Sequence, residues 1–441
     1  MSVERRGSVR TSLACAQLIT DQEEAVTKTK PFTIDKWQVV RAYELVKANA
    51  GAAGIDQQSI ADFDKNRKNN LYKLWNRLSS GSYCPAPVKA VAIPKKSGGE
   101  RILGIPSVSD RIAQMVVKMA FEPKVEPHFL PDSYGYRPGK SALDAIGITR
   151  KRCWSYNWVL EFDIKGLFDN IPHELLLKAV DKHQPTAWIR LYIQRWLTAP
   201  MVMPDGEVRA RTQGTPQGGV ISPLLANLFM HYVFEKWLQQ HYPNIPWCRY
   251  ADDGLVHCRS ESEAKHMLEV LRERFIACGL ELHPEKTKIV YCKDGSRKGN
   301  YEHTSFDFLG YTYRRRVVKN RKRNSLFVSF TPAVSKVALK AMRRKIKVLK
   351  VRSRTELNIA QLGGWLNPII NGWIGYYGRY NRSALYSLFR HINKALIRWA
   401  RRKYKTLRRH KTRTLKFLEG IATKSPRLFA HWRAGMVGRF S

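Results

Sequence analysis

The spacing of apolar residues changes period several times along the chain, and each change marks an element. From Asp35, the positions Trp37, Val40, Tyr43, Leu45 and Val46 fall near helical spacing, and Leu71, Leu74 and Leu78 predict a second helix stopped by Gly81. Residues 51–56 (GAAGID) read as a turn between them. Val88 to Ile93 and Arg101 to Ile105 are short apolar runs joined by Pro94-Lys95-Lys96-Ser97-Gly98-Gly99, which predicts a hairpin with basic residues near its tip. Helical patterns follow over Asp110 to Phe121, His173 to Val180, Trp188 to Leu197, Pro223 to Gln239 and Glu263 to Cys278. Between them lie short strands at Val159 to Ile164, bounded by Gly166, and at Ile289 to Tyr291. Two apolar runs from Trp247 to Cys258 flank Asp252-Asp253-Gly254, a strong hairpin cue. From Val334 onward the pattern is helical and very basic. Trp365, Ile369, Trp373, Ile374 and Tyr377 form a packing stripe, with an interruption expected at Pro368. Strands mixed with helices up to about residue 330 imply an α+β core, and the remainder an α-helical region.

Charge narrows the class. The chain of 441 residues carries 77 Lys and Arg against 36 Asp and Glu, a net charge of +41. So much like charge repels itself unless a polyanion neutralises it, and phosphate neutralisation releases counterions; nucleic acid is the expected partner. No apolar run reaches the roughly 18–20 residues of a membrane span, so no membrane is expected. Met1 to Leu18 makes a poor secretory signal, and the charged, polar stretch from Met1 to about Pro31 is expected to be partly disordered. The seven cysteines form no C-x-x-C pair and have no histidine pair at metal-ligand spacing, which argues against a disulfide framework or a zinc module and fits a reducing cytoplasm.

Two acidic segments carry the candidate chemistry. Adjacent carboxylates at Asp252 and Asp253 repel, and a half-buried pair is costly without cations. In Leu160-Glu161-Phe162-Asp163-Ile164, alternation puts Glu161 and Asp163 on one face of a strand and Leu160, Phe162 and Ile164 on the other. Either segment alone could be an ordinary turn or strand end. Brought together, three carboxylates would suit hard divalent cations, which phosphoryl transfer commonly uses in pairs.

These segments resemble the palm motifs of reverse transcriptases, and the neighbouring blocks resemble the group II intron maturase branch. Ala92-Ile93-Pro94-Lys95-Lys96 with Arg101-Ile102-Leu103-Gly104-Ile105-Pro106 resembles its fingers block, followed by Ser133-Tyr134-Gly135-Tyr136-Arg137-Pro138-Gly139. Gly214-Thr215-Pro216-Gln217-Gly218-Gly219 is similar to the nucleotide-pocket loop. Gly279-Leu280-Glu281-Leu282 with Lys286-Thr287-Lys288, then Phe308-Leu309-Gly310-Tyr311, resemble the closing palm blocks, and Gly372-Trp373 to Tyr376-Tyr377 the thumb. The resemblance runs from about Gly51 to about Tyr380, with the blocks in order.

It implies a right-hand polymerase with fingers and palm, a helical thumb or maturase domain, and a basic DNA-binding segment. The expected divisions are an N-terminal extension (1–50), fingers and palm (51–330), thumb (331–395) and DNA-binding segment (396–441). It implies an RNA-directed DNA polymerase that copies intron RNA by target-primed reverse transcription and binds that RNA as a maturase. Asp163 and Asp252 would hold two Mg²⁺ ions, or Mn²⁺ in their place, assisted by the Ile164 carbonyl, with Asp253 completing the carboxylate set. Lys95 and Arg101 would clamp a deoxynucleoside triphosphate. Phe168 would sit under its sugar, Gln217 would contact it, and Lys288 would lie near the primer end or the metals. Partners would be group II intron RNA, target DNA and primer, in a cytoplasmic ribonucleoprotein, with an organelle as the alternative. No cysteine follows Cys292, so the resemblance implies the form lacking the C-terminal endonuclease domain.

Other features weigh less. Pro138-Gly139-Lys140-Ser141 approaches a P-loop, but Gly135 stands too close to Gly139 and no strand leads in, so a loop facing nucleic-acid backbone is the better reading. Arg401, Arg402, Lys403, Arg408, Arg409 and Lys411, with Trp399 and Tyr404 interleaved, are expected to contact nucleic-acid backbone. Two other functions remain open. One is a non-enzymatic RNA-binding splicing factor that keeps the fold as a scaffold, against which all three aspartates are intact. The other is a related bacterial reverse transcriptase in defence or repair.

Overall fold

The computed structural model describes residues 30–94, 99–320 and 323–436. Lys95 and most of the charged N-terminal stretch lie outside them. The chain begins with α1 (Lys36–Ala48), whose first turn is capped by the Asp35 carboxylate accepting from the Trp37 N–H, then α2 (Ile60–Lys65) and α3 (Arg67–Ser79). β1 (Val88–Pro94) and β2 (Glu100–Ile105) form the expected antiparallel hairpin. It joins β4 (Met201–Val202) and β5 (Val208–Arg209) in a sheet of order β2-β1-β4-β5. Between them runs α4 (Val108–Val125), buried along most of its length. Its N-cap Ser107 donates to Asp110, which also accepts from Tyr83 at 2.5 Å and from the Ala86 N–H. α5 (Ala142–Ser155) opens with a capping box in which Ser141 and Asp144 satisfy each other's backbone N–H groups. The P-loop-like segment is therefore a helix start, and Lys140 donates to the Pro131 carbonyl at 2.9 Å.

A second, antiparallel sheet holds the acidic segments. It comprises β3 (Trp158–Asp163), β6 (Trp247–Tyr250), β7 (Asp253–Cys258) and β8 (Lys288–Tyr291), in the order β6-β7-β3-β8. Alternation splits its faces as the sequence suggests. Leu160, Phe162 and Val256 pack with α6 (Leu167–Asn170), α7 (His173–Asp181), α8 (Ala187–Thr198) and α11 (Glu261–Ala277) in the main core. The long apolar run after Pro223 forms α9 (Ser222–Met230) and α10 (Lys236–His241), continuous through one widened π turn at His231–Glu235. On the opposite face, Val159, Leu255 and Val290 pack with α5 and with a third sheet. That sheet is β9 (Ser305–Phe308), β10 (Tyr311–Asn320) and β11 (Ser325–Val334).

The C-terminal region is helical, with α12 (Lys336–Val348), α13 (Ile359–Tyr377), α14 (Tyr386–Lys403) and α15 (Lys411–Lys424) around their own core. Pro368 does not interrupt: α13 runs through it. Burial of Leu362, Leu366 and Ile370 on one stripe outweighs the one backbone hydrogen bond that proline removes. Tyrosines join this region to the third sheet. Tyr376 donates to the Leu309 carbonyl at 2.9 Å, and Tyr311 donates to the Tyr376 carbonyl. No described helix is long and apolar enough to cross a membrane.

Candidate active site

The register of the central sheet places Asp163, the last residue of β3, directly opposite Asp253, the first residue of β7. Asp252 precedes it in the tight turn from Tyr250, where Ala251 takes a left-handed φ of 58°. The next pair in register is Phe162 opposite Gly254. A Cβ at Gly254 would lie 2.0 Å from the Phe162 ring, so only glycine lets the two strands close at this level.

Charge crowds here. Burial, then the Asp252 and Asp163 charges, pushes the Asp253 carboxyl up to about 7. Burial and Asp163 also raise Asp252. Glu161, one pair further along the same face, is pushed up to about 7, chiefly by burial, although Lys288 pairs with it at 3.2 Å. It is Lys286, not Lys288, that reaches Asp163, at 2.9 Å. The lysine expected near the metals thus sits one carboxylate away. Lys286 and Lys288 share one motif, and nothing in the local sequence distinguishes which of the two faces the aspartate.

The donor set fits hard divalent cations. All three side chains are carboxylates, and burial, then neighbouring carboxylate charge, raises the Asp252 and Asp253 carboxyls, a penalty that positive charge would offset. Among the described residues no three His, Cys, Asp or Glu side chains converge in closed ligating geometry, and Asp163 is engaged by Lys286. Backbone pairing also bears on Ile164. Lys165 N–H bonds Glu281 O and His283 N–H bonds Asp163 O, so Ile164 is a non-hydrogen-bonded partner of Leu282. Its carbonyl is thereby turned to the β7 side, where Asp252 and Asp253 lie.

A buried polar cluster backs the turn. Arg249, wholly inaccessible within β6, donates to the Ala251 carbonyl at 2.9 Å, to Ser133 Oγ at 2.8 Å, to Asn227 Oδ1 at 3.1 Å and to Glu235. Burial alone would raise the Glu235 carboxyl, but Arg249 and His231 outweigh it and hold it below the usual range. The π turn places Glu235 and His231 side by side, 3.0 Å apart. Asn227 in turn donates to Gly135 O, and Gly135 packs against the Ala251 backbone. An arginine inside the apolar run Trp247-Cys248-Arg249-Tyr250 was the sequence signal for this cluster. Beside it, Tyr136 has a left-handed φ of 58° and stands half exposed near Tyr250 and Asp252.

The basic hairpin and the Gly-rich loop meet at the same mouth. Arg101 Nε donates to Gln217, whose amide donates to Asp169 at 2.9 Å. The Thr215 N–H bonds Phe168 O at 2.6 Å, and Phe168 is half-buried against the main core. Gly214 has φ +76° and lies so close to Asp169 O that a Cβ would be 2.6 Å away. An open cleft of about 820 Å³ runs from Asp253 past Asp307 and Gly310 to Met342, Lys345 and Trp373. The basic residues of the tail make their bonds within the C-terminal helical region. Arg401 bonds the Arg408 carbonyl, Arg402 reaches Ser353, and Lys403 donates to Thr355 O at 2.7 Å. Arg408, Arg409 and Lys411 are exposed, but Trp399 is fully buried and donates to Arg354 O, so it packs the core and does not present a ring to solvent.

Paired carboxylates at a sheet end, beside a Gly-rich loop and a basic hairpin and above a long cleft, equip an enzyme for phosphoryl transfer on nucleic acid. Family comparison agrees. Residues 93–313 match the model of "Reverse transcriptase (RNA-dependent DNA polymerase)", and residues 339–417 match "Group II intron, maturase-specific domain". Protein YkfC of Escherichia coli K12 is 33% identical over 63% of this chain and 79% of its own length. Group II intron-encoded protein LtrA of Lactococcus lactis is 33% identical over 45% of this chain, and the 91 kDa protein in the cob intron of Schizosaccharomyces pombe is 27% identical over 79%. The chain spans only 33% and 50% of those two longer proteins. Telomerase from Candida albicans superposes over 85% of this chain and 68% of its own, with TM-score 0.43 and 11% identity, too loosely to carry weight. The chain belongs to the reverse transcriptase family, in its group II intron-encoded branch, and is by class an RNA-directed DNA polymerase.

Proposed function

We propose that this chain copies group II intron RNA into DNA from a primer at a target site, and holds the same RNA for splicing. One observation carries the reading: Asp163 faces Asp253 across the register, with Asp252 beside it, and the three crowd their charge at the mouth of the cleft. Asp163 and Asp252, with the Ile164 carbonyl, would hold two Mg²⁺ or Mn²⁺ ions, and Asp253 would complete the set. Bound there, such ions supply the charge neutralisation that in-line phosphoryl transfer needs and make the primer hydroxyl a better nucleophile.

The chain's own residues do the positioning. Arg101, with Lys95 from the same hairpin, clamps the triphosphate of the incoming deoxynucleotide through charge-assisted bonds. Gln217, tied to Arg101, orients that nucleotide from the Gly-rich loop. Phe168 lies under its sugar and excludes a 2′-hydroxyl. Lys286 and Lys288 bring positive charge from the β8 side. The cleft between Asp253 and α12 and α13 takes the template and primer. Arg401, Arg402, Lys403, Arg408, Arg409 and Lys411 contact the backbone of target DNA, and the chain works within a ribonucleoprotein.

Primer extension on an RNA template, with Mg²⁺ and deoxynucleotides, tests this. Wild type is expected to extend the primer, and Asp163→Asn to lose about 10³-fold in rate while binding RNA as before. Normal extension by Asp163→Asn overturns the reading.

A further inference from the structure

β10 and β11 pair continuously from Tyr311↔Val334 to Asn320↔Ser325. The third strand of their sheet, β9, covers only Tyr311 to Arg314. Beyond Arg314 the sheet narrows to a two-stranded ribbon, and at the usual strand rise its far end stands about 30 Å from its root. The root is interior: Tyr311, Tyr313 and Phe330 are fully buried, and Gly310 lines the cleft. The free half is not. Val317 is 64% exposed, Leu326 70% and Phe327 49%.

Two strands alone bury little, so Val317 and Leu326 on one face and Phe327 on the other stand exposed. They sit among cations. Alternation puts Arg315, Val317 and Lys319 on one face with Leu326 and Val328, and Arg314 and Val318 on the other with Phe327, where the Arg316 guanidinium is turned back onto the Thr312 and Thr331 carbonyls. Each face therefore interleaves positive charge with apolar surface. Between Asp307 and Glu356 the sequence has 16 Lys and Arg and no acidic residue.

We infer that the free half of this ribbon is an RNA-docking arm, separate from the catalytic cleft, that takes the unpaired bases of a structured RNA. Exposed phenylalanine and guanidinium planes stack on splayed bases, while the remaining cations meet phosphates. A second copy of the ribbon would bring the same charge and be repelled. The choice of RNA among polyanions rests on the function proposed above; the surface itself does not.

The full-length chain tests it, with Leu326→Ser/Phe327→Ser and Arg315→Gln/Lys319→Gln as separate variants. The probes are an RNA hairpin with a long unpaired loop, a blunt RNA duplex of equal length, and phosphatidylserine vesicles. The Ser pair is expected to weaken hairpin binding about tenfold and duplex binding little. The Gln pair is expected to weaken both and lower the salt slope by about one to two. Primer extension on a short unstructured template stays within about twofold of wild type for both, which reports that they fold. Unchanged hairpin affinity in the Ser pair overturns the proposal, as does equal loss on hairpin and duplex, or loss on vesicles alone. If wild type fails to extend a primer yet the Ser pair still loses hairpin binding, the polymerase reading fails and the arm stands.

Discussion

Arg249 and Glu235 form an ion pair that solvent does not reach, with both side chains wholly buried and the guanidinium bonding the carboxylate through Nε and Nη2. The same guanidinium supports the carbonyl of Ala251, one residue before the Asp252-Asp253 pair. Removing one partner strands the other charge. Arg249→Met is expected to cost about 3–5 kcal/mol, read by chemical denaturation. Arg249→Lys keeps the charge but loses the planar fork. It is expected to fold and to lose about tenfold in kcat, with a smaller change in nucleotide KM. A lysine variant with wild-type kcat would remove the turn-supporting role.

Burial first, then the Asp252 and Asp163 charges, lets Asp253 keep a proton up to about 7 in the folded chain, and burial does the same for Glu161. The unfolded chain releases those protons near pH 4. Between about pH 4 and 7 the folded state binds more protons than the unfolded one, so these two groups make stability fall as pH rises. A divalent cation reverses the penalty only where the carboxyls would ionise. The rise in Tm on adding Mg²⁺ is therefore expected to be larger at about pH 7.5 than at about pH 5.5, and to shrink in Asp253→Asn. Equal shifts at both pH values would contradict the carboxylate origin.

His257 behaves in the opposite sense. It is fully buried, burial holds its imidazole down to about 3, and neither ring nitrogen has a hydrogen-bond partner among the described residues. The unfolded chain takes up that proton near its ordinary value of 6.5, so stability is lost as pH falls from about 6.5 toward 3. His257→Leu is expected to match wild type in Tm at about pH 8 and exceed it at about pH 5. A variant less stable at both would show that the ring is needed for packing.

Gly254→Ala sets a methyl group against the Phe162 ring. Overpacking of this kind costs about 1–3 kcal/mol, visible in denaturant titration, and the double variant with Phe162→Leu is expected to recover part of it. Wild-type stability in the single variant would mean that the strands part freely at this level.

Much of this molecule could be read from local pattern. Period-two alternation sorted Val159, Glu161 and Asp163 onto one face, and the turn at Asp252-Asp253 ended a hairpin where expected. What escaped depends on contacts across the chain. Lys286 and Lys288 are two residues apart in the same motif, and only the fold decides that the first meets Asp163 and the second Glu161. Pro368 argued for a break, but the buried stripe of α13 overrides a local preference. Trp399 lies in a basic run expected to contact nucleic acid, yet its own ring is fully buried and donates to the Arg354 carbonyl. The β10–β11 ribbon carries too many arginines to read as a strand by alternation.

The reciprocal phenol contacts at Leu309 and Tyr376 fasten α13, one wall of the cleft, to the β9–β10 turn that lines it. If template and primer lie in that cleft as proposed, the two bonds set the spacing between α13 and the Leu309–Tyr311 segment along that stretch of it. Losing either phenol, by Tyr376→Phe or Tyr311→Phe, would leave that wall held by one bond fewer, so a change in how far each primer is extended would register there first.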